Sequence, residues 1–355
     1  MSAVVAPVTH AAPAEPAWPA WPSYALHDDL LPTLTAWHRA GQRVAIATLI
    51  DVQGSSPRPL GSEMAISADG RVAGYVSGGC VEAAVAHEAS AALRDGMPRW
   101  LDYGEGSQVL DIQLSCGGRI GVLVWPVQDL GEHLARWRNA RQHRRPFHVA
   151  LDRSTGAVRY PVSAQDLRPD EFLRTHRPPL RLVLVGADPA LLVLVSLASQ
   201  MGIEVRVLRP HGPSEPPPGL AADHYDRRAL GDALQDLHLD ADTALYSLAH
   251  DGDSDLQVAC RGLASRAACI GILGSRQKRE ARLQALRALG YDDAALARLR
   301  LPAGWRMGRS SPHTIALGII AEATQAVADG QATAALAGRN GHQDGGAHRH
   351  AERGQ

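Results

Sequence analysis

Cysteine is scarce in this sequence, with four residues among 355. So few thiols in a chain of this length exclude a disulfide framework of the kind that staples small secreted domains. The first residues also lack the basic region and apolar stretch of a secretory signal. Both absences are typical of proteins in a reducing cytosol, so we expect a cytoplasmic location.

A surplus of charge and long hydrophobic runs are absent as well. The 36 basic residues nearly balance the 37 acidic ones, which leaves a formal net charge of -1 at pH 7. No overall field therefore attracts nucleic acid or an anionic membrane surface. No apolar run approaches the roughly 18 residues that cross a bilayer. We expect neither nucleic acid nor a membrane as a partner.

The length is sufficient for two domains, each with its own core. Composition predicts disorder in the Ala/Pro-rich residues 1–24 and in the Gly/His-rich tail 331–355, because neither has periodic apolar positions. Between them we expect a cofactor-binding domain over 25–162, a polar linker over 163–180 and a second domain over 181–330. The predicted class is α/β: a mixed-sheet N-terminal α/β domain, then a Rossmann-like doubly wound C-terminal domain.

The segment Ser77-Gly78-Gly79-Cys80 joins a predicted strand to a predicted helix that begins near Val81 and Glu82. Unpaired N–H groups at a helix start favour a phosphate or a thiolate. Such a position would lower the pKa of Cys80 and make it a nucleophile or a ligand for a soft metal. The alternative is a small buried residue chosen for packing, and the residues alone leave both interpretations open.

A second cysteine lies in a similar turn, Ser115-Cys116-Gly117-Gly118, which precedes an apolar strand. Cys80 and Cys116 are separated by a spacing that matches no zinc-ribbon or CxxC pattern. If both turns open at one end of the same sheet, the two thiols converge on one cleft. They suit a sulfur-bearing or metal-bearing small molecule better than a disulfide.

The loop from Gly54 to Gly61 contains two prolines and two glycines, and its polar side chains are those of Ser55, Ser56 and Arg58. Two hydroxyls and one guanidinium on a rigid path can hold an oxyanion. The alternative is a surface turn whose serines only cap backbone groups.

The second domain begins with a strand–helix–strand unit whose turn is Gly186-Ala187-Asp188-Pro189. This turn departs from the dinucleotide fingerprint GxGxxG, and Arg209 stands where an acidic residue is expected. A Rossmann-type fold without a bound dinucleotide fits these residues at least as well as nicotinamide binding.

A later turn, Gly274-Ser275-Arg276, follows a buried strand and leads into a basic helix. Open α/β sheets bind ligands at the carboxyl ends of their strands, so this turn is a candidate phosphate site. The alternative is a solvated face of basic residues.

The motifs at 54–59, 77–82 and 115–118, in this order, closely resemble the amino-terminal domain of the xanthine dehydrogenase accessory (XdhC/CoxI) family. The segments 270–276, 299–304 and 308–316 resemble its Rossmann-type carboxyl-terminal domain. The resemblance implies a maturation factor that binds the molybdenum cofactor (molybdopterin-bound Mo) transiently. Such factors hold the cofactor while a cysteine desulfurase adds sulfur to it. They then deliver the sulfurated cofactor to a xanthine dehydrogenase-type molybdoenzyme. It also implies a homodimer, and an accessory chaperone rather than a self-sufficient enzyme.

The resemblance places Cys80 and Cys116 as the thiols nearest the molybdenum and assigns no catalytic residue. The candidate cofactor-binding residues are Cys80, Cys116, Ser55, Ser56, Arg58, Ser77, Gly78, Gly79, Glu82, Gly117, Gly118, Gly274, Ser275 and Arg276. The altered turn at Gly186 weakens a dinucleotide role. Two alternatives stay open: an NAD(P)-dependent oxidoreductase that uses the second domain, and a non-catalytic scaffold with both thiols buried.

Overall fold

The computed structural model divides the chain into two units, Met1–Arg177 and Pro178–Gln355. It describes residues 18–107, 114 and 117–343, with backbone alone for 332–343. Within these residues, no helix combines the length and the apolar character that crossing a bilayer requires.

The first unit contains eight strands and three α-helices within its described residues. The strands are β1 (Val44–Gln53), β2 (Glu63–Ser67), β3 (Val72–Gly74), β4 (Arg99–Gly104), β5 (Arg119–Pro126), β6 (Phe147–Asp152), β7 (Val158–Arg159) and β8 (Glu171–His176). The helices are α1 (Leu31–Arg39), α2 (Glu82–Asp95) and α3 (Leu130–Gln142).

A five-stranded sheet in the order β3-β2-β1-β5-β4 is the centre of this unit, and β7-β6-β8 form a second sheet. The described pairings in both sheets are antiparallel. Successive side chains of β1 point to opposite faces: Ile46 packs into the core beneath α1 and α3, and Ala47 into the core beneath α2. Because both faces of β1 are covered, its sequence is a continuous apolar run instead of an alternating one.

The second unit has six described strands, joined mostly by helices. The strands are β9 (Arg181–Gly186), β10 (Glu204–Leu208), β11 (Tyr225–Asp226), β12 (Thr243–Leu248), β13 (Cys269–Ile272) and β14 (Leu299–Arg300). The helices are α4 (Ala190–Gln200), α5 (Leu230–Gln235), α6 (Gly252–Leu263), α7 (Arg279–Ala288), α8 (Asp293–Leu296) and α9 (Pro312–Gln343).

The sheet of the second unit is parallel, in the order β11-β10-β9-β12-β13-β14. Helices α4 and α9 cover one face, and α5, α6, α7 and α8 cover the other. This is the doubly wound arrangement, whose strand order reverses between β9 and β12. The expected α/β class is confirmed: antiparallel sheets come first along the chain and a Rossmann-type sheet second.

The segment 163–180 is not a free linker, because it contains β8. This strand pairs with β6 over six residues, and Phe172 packs on the core. Its neighbour Glu171 accepts two hydrogen bonds from the guanidinium of Arg159. The segment looks polar because much of β8 consists of charged residues that have partners within the unit.

The two ends also differ in part from the expected disorder. Residues 1–17 and 344–355 lie outside the described residues. Tyr24, however, is buried in a short 3₁₀ turn, Ser23–Leu26, and its ring lies 5.2 Å from that of Trp18. At the other end α9 continues to Gln343, through a stretch rich in alanine, the residue with the strongest helix propensity.

His133 is a fully buried histidine in the aromatic core of the first unit. Its ring packs edge-on against Trp125, Trp137 and Phe147, with centroids 5.3 to 5.9 Å apart. Nδ1 lies 3.1 Å from the Tyr160 hydroxyl, and Nε2 has no hydrogen-bond partner among the described residues. Burial lowers the pKa of His133 to about 4, so the imidazole is neutral at pH 7.

We predict that acidification destabilises the first unit through His133. Burial lowers the pKa of His133 to about 4 in the folded state, against about 6.5 for an ordinary histidine, so the unfolded chain binds the proton first as the pH falls. The contribution of His133 to the free energy of unfolding should therefore fall by about 3 kcal/mol between pH 6.5 and pH 4. Urea unfolding at a series of pH values, monitored by tryptophan fluorescence, measures this free energy, because six of the seven tryptophans lie in this unit. His133→Asn should flatten the slope, and an unchanged slope would contradict the prediction.

Candidate cofactor site

The carboxylate of Glu82 organises the loop that carries Cys80. Glu82 is fully buried and accepts hydrogen bonds from the backbone N–H groups of Val76 at 3.2 Å, Ser77 at 2.8 Å and Val81 at 3.2 Å. The Ser77 hydroxyl, buried as well, donates to the same carboxylate at 2.8 Å. The side chains of Ser77 and Glu82 are thus buried beneath the loop, and a direct contact of either with the cofactor stays a prediction. They hold the loop from beneath, since burying a carboxylate requires that its oxygens be satisfied.

The residues above this carboxylate face outward. Gly78, Gly79 and Cys80 are exposed, and Cys80 lies one residue before the N-cap of α2. The Cys80 N–H donates to the Ser77 hydroxyl at 3.3 Å. Gly79 has φ +101°, and a Cβ built on it would meet nothing within 4 Å. Cys80 is exposed, so the interpretation of Cys80 as a buried packing residue is wrong.

Close contacts join loop 54–61 to both diglycine turns. A Cβ at Gly78 would lie 3.4 Å from Pro57 Cγ, and a Cβ at Gly118 would lie 1.9 Å from the carbonyl oxygen of Ser55. The second contact permits only glycine at position 118. Loop 54–61 therefore lies against both diglycine turns.

The exposed Gly117 has φ +70° and open space around it, as Gly79 does. Ser115 and Cys116 lie outside the described residues. The expectation that Cys116 joins Cys80 in one cleft stays a prediction, and it is supported by the contact between Gly118 and loop 54–61.

Arg58 is the cationic group of this loop. Its guanidinium lies 4.1 Å from the centre of the Tyr75 ring, and Nη1 donates to the Tyr75 hydroxyl at 3.1 Å. Nη2 donates to Asp28 Oδ1 at 2.8 Å, while the buried Nε has no hydrogen-bond partner among the described residues. The Asp28 side chain is 73% exposed. An anionic ligand can replace such an exposed carboxylate at little cost, because exposed ion pairs are weak.

The two serines of the loop differ in what they do. The Ser56 hydroxyl donates to the Arg58 carbonyl at 2.9 Å and accepts from the Arg58 N–H at 3.3 Å. Ser56 is thus committed to the local turn, as the capping interpretation predicted. Ser55 is exposed next to Gly118.

The surface formed by the three loops fits a soft-metal cofactor with an anionic group. A thiolate suits soft metals, and an arginine suits phosphate. Two exposed glycines leave room that side chains would fill. No cluster of three or more His, Cys, Asp or Glu side chains suited to a metal ion occurs within the described parts of the chain.

The predicted turn of the second unit, Gly274-Ser275-Arg276, is held by an ion pair beneath it. A Cβ at Gly274, which has φ +150°, would lie 2.8 Å from an Arg282 Nη atom. Arg282 pairs with the buried Asp255, which also accepts from the Ser247 hydroxyl at 2.6 Å. Ser275 and Arg276 are exposed above this pair. Their role as cofactor contacts stays a prediction.

A contact that sequence reasoning missed lies at the end of β9. Asp188 Oδ1 accepts from the Ala190 N–H at 2.7 Å, at the start of α4. Asp188 Oδ2 accepts from His250 Nε2 at 2.6 Å, across 62 residues of sequence. The carboxylate thus occupies the helix start where dinucleotide-binding folds hold a pyrophosphate. The only sequence signal was an acidic residue in place of the second glycine.

Comparison with known proteins identifies both units. The model of the XdhC and CoxI family matches residues 37–104, and that of the XdhC Rossmann domain matches residues 182–323. The chain is 30% identical over 285 residues to the molybdenum cofactor insertion chaperone PaoD of Escherichia coli, covering 80% of this chain and 83% of that protein.

Two further matches agree with this. The chain is 25% identical to the uncharacterized protein YqeB of E. coli over 286 residues, 79% of this chain and 43% of that protein. A crystal structure from Bacillus halodurans, named a xanthine dehydrogenase, superposes with a TM-score of 0.69 at 25% identity. The match covers 84% of this chain and 96% of that one.

We predict that Glu82→Gln loosens the Cys80 loop. In the variant, the side-chain NH₂ group would face backbone N–H groups that donate to the carboxylate in the unmodified protein. Because two donors cannot bond to each other, the free energy of unfolding should fall by about 2–3 kcal/mol. Amide hydrogen exchange should rise over residues 76–82. The control is Glu105→Gln, a similar change at an exposed position. Equal exchange over 76–82 in both variants would contradict the prediction.

Proposed function

The chain belongs to the XdhC and CoxI family, and from this premise we propose that it is a maturation factor that binds the molybdenum cofactor on its first unit. The observation that carries the proposal is the exposed Cys80 on a loop held rigid by a buried carboxylate. A reactive group that must meet a cofactor in a defined place has to be held by residues that do not themselves move.

The groups around Cys80 match the parts of the cofactor. The Cys80 thiol, with Cys116 as its predicted partner, suits the soft molybdenum–dithiolene centre. Arg58 suits the terminal phosphate. The open space at Gly79 and Gly117 lets the pterin body lie close to the backbone. Each part of the cofactor therefore has a counterpart on the loops that converge at this surface.

The exposure of this surface is consistent with transient binding. A cofactor held on loops at one end of a sheet stays accessible to a second protein. We propose that a cysteine desulfurase reaches it there to supply sulfur, and that a xanthine dehydrogenase-type molybdoenzyme then receives it. A homodimer and a cytoplasmic location belong to the same proposal.

The two alternative functions fit the structure less well. A scaffold with buried thiols disagrees with the exposed Cys80. An NAD(P)-dependent oxidoreductase needs room for a pyrophosphate at the start of α4, where Asp188 places a negative charge. Like charges at that position oppose dinucleotide binding.

The first test is titration of the full-length protein with molybdenum cofactor. Cys80→Ser should weaken binding by about tenfold or more, because a soft thiolate contact becomes a hard hydroxyl. Cys116→Ser should have a similar effect. Cys260→Ala, which removes a thiol in α6, is the control and should bind normally. Unchanged affinity in both the Cys80 and the Cys116 variant would overturn the proposal.

The second test concerns the pair formed by Arg58 and Asp28. Asp28→Asn should release the guanidinium for the phosphate and tighten cofactor binding by about two- to fivefold, the range of an exposed ion pair. Arg58→Ala should weaken binding. The matched control is Asp69→Asn, which breaks another exposed pair, with Arg71. If Arg58→Ala binds as tightly as the unmodified protein, Arg58 has no part in the site.

A further inference from the structure

We propose that the second unit binds a small organic anion in a cavity between α6 and α7, independently of the proposed cofactor site. The cavity has a volume of about 270 Å³ and opens beyond the carboxyl ends of β12 and β13. Its lining residues follow β12 and β13, on one side of the point where the strand order of the sheet reverses. Open α/β sheets bind ligands outside the carboxyl ends of their strands, and the cavity lies at that edge.

The walls of the cavity are apolar and its deepest charges are neutralised. Leu256 and Ala259 of α6 face Ala281 and Ala285 of α7, and the small alanine side chains leave the space open. Asp255 and Arg282 also line it, but they pair with each other, and Asp255 also accepts from Ser247. The interior therefore suits an uncharged, flat body instead of a second charged group.

The positive charge at the cavity comes from Lys278. It is the single lysine of the sequence, in which the other 35 basic residues are arginines. Its side chain is exposed and lines the cavity, and no ion pair to it is found in the part of the chain that the structure describes. Asp255, the acidic residue of the lining, is already paired with Arg282. An anionic ligand would supply the counter-charge that Lys278 lacks.

His250 provides a second polar group at the cavity, held in an unusual conformation. Its backbone has φ +63°, a region that residues other than glycine seldom adopt. Such strain persists only where the surroundings enforce it, and it is concentrated at ligand sites. Here Asp188 accepts a hydrogen bond from Nε2 at 2.6 Å, while the ring remains 52% exposed. The imidazole is therefore fixed in place at the rim of the cavity.

The size and polarity of the cavity define the class of ligand. Its volume is below the roughly 300–1,000 Å³ of sites for drug-sized molecules. Apolar walls with one lysine and one histidine suit a single negative charge on a small ring, such as an aromatic monocarboxylate. A polyphosphate would carry more charge than the single ammonium group of Lys278 neutralises.

Calorimetric titration of the full-length protein with benzoate tests this proposal. Benzoate should bind about tenfold more tightly than its neutral analogue benzamide, which corresponds to one charged hydrogen bond. Inorganic phosphate, an anion without an apolar body, should not bind. Lys278→Ala should weaken benzoate binding by about tenfold, and Lys278→Arg should restore most of it. Arg279→Ala, at the first residue of α7, directly after Lys278 and outside the lining, is the matched control and should have no effect.

Several results would overturn the proposal. They are no binding of benzoate to the unmodified protein, equal binding of benzoate and benzamide, binding of phosphate alone, or equal effects of the Lys278 and Arg279 variants. Ala285→Val should reduce benzoate binding by narrowing the cavity, and its thermal unfolding shows whether the variant is folded. Binding of the molybdenum cofactor to the Cys80 surface should be unchanged in the Lys278 variants, which separates this proposal from the proposed function.

Discussion

The buried carboxylate of Glu82 is the interaction on which the proposed site depends. It lies at the start of α2 and gathers the N–H groups of the preceding loop. An ionised group without such donors would not remain in a core at neutral pH. The loop cannot move away without leaving the carboxylate unsatisfied, so Cys80 is held on the outside of a turn that is fixed from the inside.

Glycine at position 118 is a second constraint, because it lets two backbones approach where a side chain would clash with the Ser55 carbonyl. Gly78 packs against the ring of Pro57 at ordinary van der Waals distance. These contacts bring three loops of one antiparallel unit together, although long stretches of sequence separate them. The remaining exposed glycines, Gly79 and Gly117, leave the space that a cofactor needs.

The second unit shows how a fold can be kept while its usual ligand position changes. Its strand order and its two helical layers are those of dinucleotide-binding domains. Asp188 nevertheless fills the helix start with the protein's own carboxylate and links it to His250. Topology therefore does not assign a function here, and the residues at the carboxyl edge of the sheet must be considered one by one.

The local sequence pattern was sufficient to predict the fold class of this protein and its family. The apolar runs of β1, β9 and β12, the diglycine turns and the order of the motifs are properties of neighbouring residues, and they indicated the fold class and the family. Contacts between distant residues were not accessible in this way.

The polar segment 163–180 becomes part of a sheet only because β8 finds β6 as a partner. The burial of Glu82 and the pairing of Asp188 with His250, which spans 62 residues, are also features that local pattern did not indicate. Periodicity reports which face of an element is apolar, whereas burial and pairing depend on what the folded chain places against that face.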